Sequence, residues 1–270
     1  MTVEAAENLL PSQSLSPPRF RPGGQFPKDH FSDRWFYPLF VGSIWLGVGL
    51  GFGPELAQHI KGGEAPYPLI VHLHAAAFVS WVVLLMAQSL LIRTGRRGIH
   101  RRLGLAAVAL AAIMLILGPA VAITIQRVQL SSPHPSPVFG NPAFLAVQLG
   151  GILAFGVLVT AGFLLRRKPS AHRRLMLLAT LAISDAGFAR WTAPWLHHVM
   201  GGGFWADFAG NYAANDVLLL VLGAYDLITR RRLHPAWVVG ASYIFLSQFT
   251  ATALFENAAW TAFALHFIIQ

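Results

Sequence analysis

Long apolar stretches constrain this chain more than any other feature. Crossing about 30 Å of hydrocarbon takes about 20 mostly apolar residues. Stretches of that kind occur at roughly 35–54, 68–92, 103–126, 142–165, 175–193, 211–229 and 236–255. Only 11% of the residues are charged, whereas soluble domains carry about 25%. The sequence therefore predicts an all-α polytopic membrane protein with seven transmembrane helices and excludes an ordinary water-soluble enzyme.

The basic residues indicate how these helices are oriented. Of the 20 Lys and Arg residues, 17 lie before the first stretch or in the loops that follow the second, fourth and sixth stretches. Loops rich in Lys and Arg stay in the cytoplasm. We therefore expect the N-terminus inside and the C-terminus outside. The net charge of +9 is then a topology signal, and nucleic acid is not an expected partner.

An internal repeat organises the spans. GIHRRL at 98–103 matches SAHRRL at 170–175, at an offset of 72 residues, and a weaker echo, RRLHP, occupies 231–235. Each copy joins one predicted span to the next. The sequence thus predicts a lead helix followed by three hairpin repeats within a transmembrane domain at 35–270.

Residues 1–34 form a separate cytoplasmic tail with five prolines, four serines and no apolar run. Such a composition cannot bury enough apolar surface to order itself. A larger membrane complex, photosynthetic or respiratory, is one expected source of ordering contacts. In that alternative the protein is a non-catalytic accessory subunit, with the lipid bilayer as its other partner.

Polar residues within the spans are the main pointers to a site, because they are costly there. At about 1.5 Å per residue, several of them fall at one depth in the outer leaflet: His72, His74, Gln148, Arg190, Asn215, Asp216 and Gln248. We expect Arg190 and Asp216 to form an ion pair between neighbouring helices, which either serves a site or only locks the helices together. Asp185, near mid-membrane, is either a protonated carboxyl or a helix-packing donor, and Asp226 has the spacing of an ordinary helix-surface pair with Arg230.

The histidines in this layer suggest a redox cofactor. His72 or His74 could ligate haem b or copper, together with His197 or His198, or could simply form hydrogen bonds. The last two histidines follow Pro194, which we expect to kink or end the fifth span. Arg190 would then stabilise a haem propionate or a quinone oxygen. A stripe at three-to-four spacing on the second span indicates a packing face: His74, Phe78, Trp81, Leu85 and Gln88.

Three further histidines repeat among the cytoplasmic arginines, at positions 100, 172 and 234. Their position among arginines indicates interfacial residues that contact lipid phosphate groups. The alternative is an inner quinone or cofactor site. The chain contains no cysteine, which excludes Fe–S clusters and thiolate-ligated haem.

Three segments carry a resemblance to a known group of proteins. The patterns HxHAxxFxxW, GRRxxHRRLG and RRRLHPAW, within residues 35–260, resemble uncharacterised bacterial inner-membrane proteins with seven helices. Two features depart from that group: Ala75, where glycine is usual, and the long tail. A looser similarity to b-type membrane cytochromes rests on the membrane histidines. Positions characteristic of the group are His72, His74, Trp81, Gln88, His100, Arg190, Asp216 and His234.

The resemblance implies architecture and a bacterial inner membrane, but no activity. From the residues we expect electron transport with haem b or a quinone. One alternative is the accessory subunit described above. The other is a proton-coupled permease for small molecules, in which Asp216 or Asp185 titrates and the polar layer forms a substrate vestibule.

Overall fold

The structure, a computed structural model, describes residues 26, 29–62 and 67–270. Within these residues the chain is helical and contains no strand. A 3₁₀ turn at Pro142–Phe144 leads into the fourth helix. The helices are α1 Asp33–Lys61, α2 Leu69–Arg93, α3 Arg97–Leu130, α4 Leu145–Leu164, α5 Pro169–Met200, α6 Phe204–Arg230, α7 Pro235–Phe255 and α8 Ala258–Ile269.

Six of the described helices are long and apolar enough to cross a membrane: α1, α2, α3, α4 with its 3₁₀ turn, α6 and α7. The all-helical, multi-span character predicted from the sequence is therefore confirmed. The helix α5, predicted as a seventh span, does not belong to these six.

Helix α5 lies at the centre of the bundle. It packs against α1, α4, α6 and α7, and every residue from 175 to 182 is buried. A helix shielded from lipid by its neighbours can carry polar residues that a lipid-facing helix cannot. This position accounts for the lower apolar content of α5.

Two glycines let α1 approach α5 closely. A Cβ atom placed on Gly51 would lie 1.9 Å from the carbonyl oxygen of Gly187, and one placed on Gly187 would lie 2.8 Å from Cα of Val48. Small residues at such a crossing allow two helix backbones to pack directly on each other. The contact fixes α1 against the central helix.

The remaining long helices form three hairpins, α2–α3, α4–α5 and α6–α7, whose short connections lie at 94–96, 165–168 and 231–234. Gly95 and Arg231 adopt positive φ angles of 75° and 57° in the first and third of these turns. The start of α1 contacts the same region, since Asp33 pairs with Arg173 and Arg230. We call this end of the bundle the arginine end and the opposite end the far end.

Two features of the far end differ from the expectations. Of the two expected effects of Pro194, a kink or an end of the helix, the end is wrong. Helix α5 continues to Met200, because a proline removes a single backbone hydrogen bond and a helix packed on its neighbours tolerates that loss. The short helix α8 was not predicted, because it is too short to span. It is held by a hydrogen bond of 3.1 Å from Trp260 Nε1 to the carbonyl oxygen of Ala143 and by one of 2.5 Å from Arg127 Nε to that of Ile268.

Candidate functional site

Arg190 pairs with Glu55, so the predicted ion pair between Arg190 and Asp216 is wrong. Its Nε donates to Oε2 of Glu55 at 2.9 Å, and its guanidinium lies 4.0 Å from the ring centre of Phe52. The prediction failed because α1 runs beyond the expected end of the first span, to Lys61. That extension brings a carboxylate of α1 to the far end of α5.

Asp216 instead receives a hydrogen bond from an amide. Nε2 of Gln248 on α7 donates to its Oδ1 at 2.9 Å, and its neighbour Asn215 donates through Nδ2 to the carbonyl oxygen of Leu181 on α5. Both α6 residues are buried. Within the described chain, no Lys, Arg or His forms an ion pair with Asp216 or with Asp185.

A small polar cavity lies beside these residues, between α4, α5, α6 and α7. Its volume is about 10 Å³, which is close to the minimum that holds one water molecule. Oδ1 of Asp185 accepts from the backbone N–H of Ala186 at 2.8 Å. The polar side chains lining the cavity are Asp185, Tyr212, Asn215, Ser247 and Gln248.

Sequence reasoning found part of this lining and missed the rest. Asn215 and Gln248 were predicted to share a layer. Tyr212 and Ser247 were not considered, although Tyr212 precedes Asn215 by three residues on α6 and so shares its helix face. That spacing is the signal that could have identified the tyrosine. Two glycines of α4, Gly150 and Gly151, complete the wall.

The other glutamine of the predicted layer lies outside the cavity lining. Oε1 of Gln148 accepts from Nε2 of Gln126 on α3 at 3.3 Å. This hydrogen bond joins α3 to α4. The structure therefore divides the predicted layer into separate pairs.

The predicted histidine ligands are also spread out. On α2, His72 is exposed and His74 is partly buried. His197 pairs with Asp207 of α6 at 3.6 Å, and the neighbouring His198 is exposed. Among the described residues, neither α2 histidine shares a hydrogen bond, ion pair or ring contact with His197 or His198, and no cluster of three or more His, Asp, Glu or Cys residues could hold a metal ion.

A second polar cluster occupies the arginine end. Arg174 of α5 and Asp226 of α6 form a bidentate ion pair in which both side chains are completely buried, with 2.7 Å between Nε and Oδ2. Asp226 also lies 3.7 Å from Arg230, which confirms their predicted i,i+4 pairing. The expectation that Asp226 lies at an ordinary helix surface is wrong, because α5 supplies Arg174 across the interface.

The same cluster holds the first residue of α1. Arg230 donates to both carboxylate oxygens of Asp33, at 2.8 and 2.6 Å, and Tyr225 donates to Oδ1 at 2.6 Å. Arg173 adds an ion pair of 3.0 Å. Every buried carboxylate of this cluster thus has a cationic partner.

His234 caps α7 beside the ionic cluster. Its Nδ1 accepts from the backbone N–H of Ala236 at 3.0 Å, and the ring of Phe26 packs edge-on against it with 4.5 Å between centroids. Burial, followed by the nearby Arg174 guanidinium, lowers the pKa of His234 to about 4. The imidazole is therefore neutral at neutral pH, which keeps Nδ1 available as the helix cap.

The repeat-related histidines also meet near this end. The ring centroids of His100 and His172 lie 6.4 Å apart. His172 Nδ1 bonds the carbonyl oxygen of Gly162 at 2.8 Å, and Gln88 donates to the carbonyl oxygen of His100 at 3.2 Å. The two rings therefore lie edge-on to each other between α3 and α5, with an angle of 82° between their planes.

The proposed tail contacts fall almost wholly outside the described residues, which include only 26 and 29–34 of the first 34 positions. Comparisons with protein-family models, curated proteins and solved structures found no match for this chain. The two polar clusters are therefore the features of the molecule that bear on its function.

Proposed function

We propose that this protein is a seven-span permease of a bacterial inner membrane that couples the movement of a small molecule to protons. The observation that carries the proposal is the pair of interior carboxylates, Asp185 and Asp216, which have no cationic partner in the described chain. Asp216 is buried and Asp185 is partly buried, and a carboxylate removed from water without a cation is costly unless it takes up a proton. Ionisable groups of this kind mark ion pathways in membrane proteins.

The topology that the permease requires has α5 as its seventh span and the arginine end in the cytoplasm. Support comes from the six apolar helices, the central position of α5 and the predominance of basic residues in the turns at the arginine end. Reporter fusions at residues 96 and 134 would then report opposite compartments. The same compartment for both fusions would contradict this topology.

Coupling is tested in proteoliposomes that contain a pH-sensitive dye. A panel of small solutes is added outside under an imposed pH gradient, and we expect one chemical class to trigger proton entry. Asp216→Asn and Asp185→Asn should lose this entry, because an amide cannot carry the proton. Glu55→Gln is the matched control and should retain it, since Glu55 is paired with Arg190. Unchanged coupling in both aspartate variants would overturn the proposal.

A second candidate function is electron transport with haem b or a quinone at the arginine end. The neighbouring imidazoles of His100 and His172 support it. Histidine can ligate haem iron or donate a hydrogen bond to a quinone oxygen. We would expect a Soret band, or co-extracted quinone, in the purified protein and its loss in H100A and H172A. Protein expressed with a haem supply that shows neither would exclude this candidate.

A further inference from the structure

The small polar cavity between α4, α5, α6 and α7 lies towards the far end of the bundle, and we call it the far-end cavity. Its lining residues include buried oxygen atoms that accept no hydrogen bond. Oδ1 of Asn215 and Oε1 of Gln248 are both without a donor, although the two residues are only 3% and 7% exposed. Buried polar atoms are nearly always paired, so each unpaired atom calls for an explanation. Two such atoms on residues that line one cavity indicate a ligand that carries a hydrogen-bond donor or a positive charge.

The orientation of the two amides follows from their other contacts. The Asn215 amide nitrogen donates to the carbonyl oxygen of Leu181, and the Gln248 nitrogen donates to the carboxylate of Asp216. Rotating either amide by 180° would place an oxygen against an oxygen acceptor. The unpaired atoms are therefore oxygens rather than misassigned nitrogens.

Further oxygens face the same space. A Cβ atom placed on Gly151 would lie 2.8 Å from the carbonyl oxygen of Ala182 and 3.8 Å from Oδ2 of Asp185, so α4 approaches these two oxygens closely at this glycine. Ser247 directs its hydroxyl hydrogen to the carbonyl oxygen of Gly150 at 3.3 Å, which leaves its oxygen lone pairs available. Oxygen acceptors therefore predominate in the lining, which also includes Tyr212 with its hydroxyl group.

We propose that this cavity binds a Na⁺ ion. The donor set consists of oxygen atoms, which suit hard cations. A single carboxylate, Asp185, lines the cavity, so a monovalent ion balances its charge, whereas a divalent ion would leave a positive charge in the bundle. The volume of about 10 Å³ admits one water-sized particle. The ion neutralises Asp185 and supplies the missing partner to both amide oxygens.

The Na⁺ site deepens the proposed permease and rests on that function only for the role of the ion. Na⁺ would compete with a proton for Asp185, whereas Asp216 would carry only a proton. Ion binding can be measured without any transported solute. A wild-type protein that couples protons but binds no Na⁺ would overturn this inference alone. A wild-type protein that binds Na⁺ but couples no protons would overturn the permease alone.

The test is thermal unfolding of the purified full-length protein in detergent, in NaCl, KCl or choline chloride at equal ionic strength. A ligand bound only by the native state stabilises it by mass action. We expect Na⁺ to raise the unfolding midpoint by roughly 4 °C or more at saturation, with a smaller effect of K⁺ and none of choline. Equal stabilisation by all three salts would overturn the proposal.

Variants locate the effect. Asp185→Asn should abolish the Na⁺-specific shift, and Asn215→Ala and Gln248→Ala should raise the half-saturating Na⁺ concentration at least about tenfold, as expected for a lost ligand near 1.4 kcal/mol. Gln126→Ala is the matched control, because Gln126 is a completely buried amide with an unpaired Oε1 outside the cavity. It should keep the full shift.

Equilibrium dialysis of radioactive sodium against the wild-type protein keeps the test independent of variant folding. We expect one Na⁺ per protein, displaced by excess unlabelled Na⁺ but poorly by K⁺. The absence of saturable binding would contradict the site. Retention of the Na⁺-specific shift by Asp185→Asn would do the same.

Discussion

The two ends of the bundle treat buried carboxylates in opposite ways. At the arginine end, Asp226 is enclosed by Arg174 and Arg230, and Asp33 by Arg230 and Arg173. Towards the far end, Asp216 has an amide partner and Asp185 a backbone N–H. Arg190, which was expected to pair with Asp216, forms its ion pair with Glu55.

This difference separates a structural cluster from a candidate site. A carboxylate held by a buried guanidinium has fixed charge and fixed geometry, so it joins helices. A carboxylate without a cation must recruit a proton or an ion from elsewhere. The comparison therefore predicts that equivalent substitutions at the two ends affect different properties, namely stability at the arginine end and ion movement in the far-end cavity.

The largest effect on stability is expected from breaking the Arg174–Asp226 pair. Arg174→Leu leaves Asp226 without its bidentate partner in a completely buried position, which should lower the free energy of unfolding by about 3–5 kcal/mol. Denaturant unfolding in detergent measures the loss. The double variant R174M/D226L should recover most of it, because a well-packed apolar pair replaces a buried ion pair at little cost. If Arg174→Leu were as stable as the wild type, this ion pair would have no structural role.

A smaller, pH-dependent effect is expected at His234. Above pH 6.5 the imidazole is neutral in both states. Between pH 6.5 and about 4 the unfolded chain takes up a proton that the native protein does not. The free energy of unfolding therefore decreases as the pH is lowered, by about 1–3 kcal/mol over this range. His234→Asn retains a cap acceptor and should flatten this part of the profile. An unchanged profile would show that another group causes the dependence.

Asp216→Asn should change stability by less than about 1 kcal/mol, because asparagine can still accept the hydrogen bond from Gln248. The comparison of the two ends requires this loss of stability to be much smaller than the loss caused by Arg174→Leu. Unfolding curves recorded under identical conditions provide the measurement. If Asp216→Asn lowered the free energy of unfolding as much as Arg174→Leu does, Asp216 would be a structural residue.

The smallest effect is expected at the Arg190–Glu55 pair. The Glu55 side chain is 46% exposed, and exposed pairs contribute about 0.2–1 kcal/mol. Glu55→Gln should therefore reduce stability slightly, and less in high salt than in low salt. Thermal unfolding at two ionic strengths tests this, and a loss that salt does not reduce would contradict the assignment of an exposed pair.

The repeated HRRL motif shows what the sequence can and cannot predict. Periodic apolar stretches and arginine-rich turns predict the helices and their hairpin order, because both follow from the cost of burying polar groups in lipid. The two copies are alike in sequence, yet Arg102 is exposed and Arg174 is fully buried. Their difference arises from Asp226, which lies 52 residues from Arg174 on another helix.

The sequence predicts that Asn215 and Gln248 share a level, but it places Asp185 of the same cavity near mid-membrane. Distance along a helix places Asn215, Asp216 and Gln248 at one level, since each residue adds about 1.5 Å. The depth of a residue does not define the rotation of its helix. It therefore could not show that Gln148 accepts a hydrogen bond from Gln126 or that Arg190 donates one to Glu55. Those partners depend on the packing of several helices around α5.

The most direct test of the contrast between the two ends is the charge displaced by a rapid pH step across proteoliposomes on a solid-supported membrane. Proton uptake by interior carboxylates moves charge even when no solute is present. The wild-type protein should give a transient current, Glu55→Gln should keep it, and the double variant D185N/D216N should fall to the level of empty liposomes while remaining folded. A folded double variant that displaces as much charge as the wild type would contradict the assignment of ion binding to the far-end carboxylates.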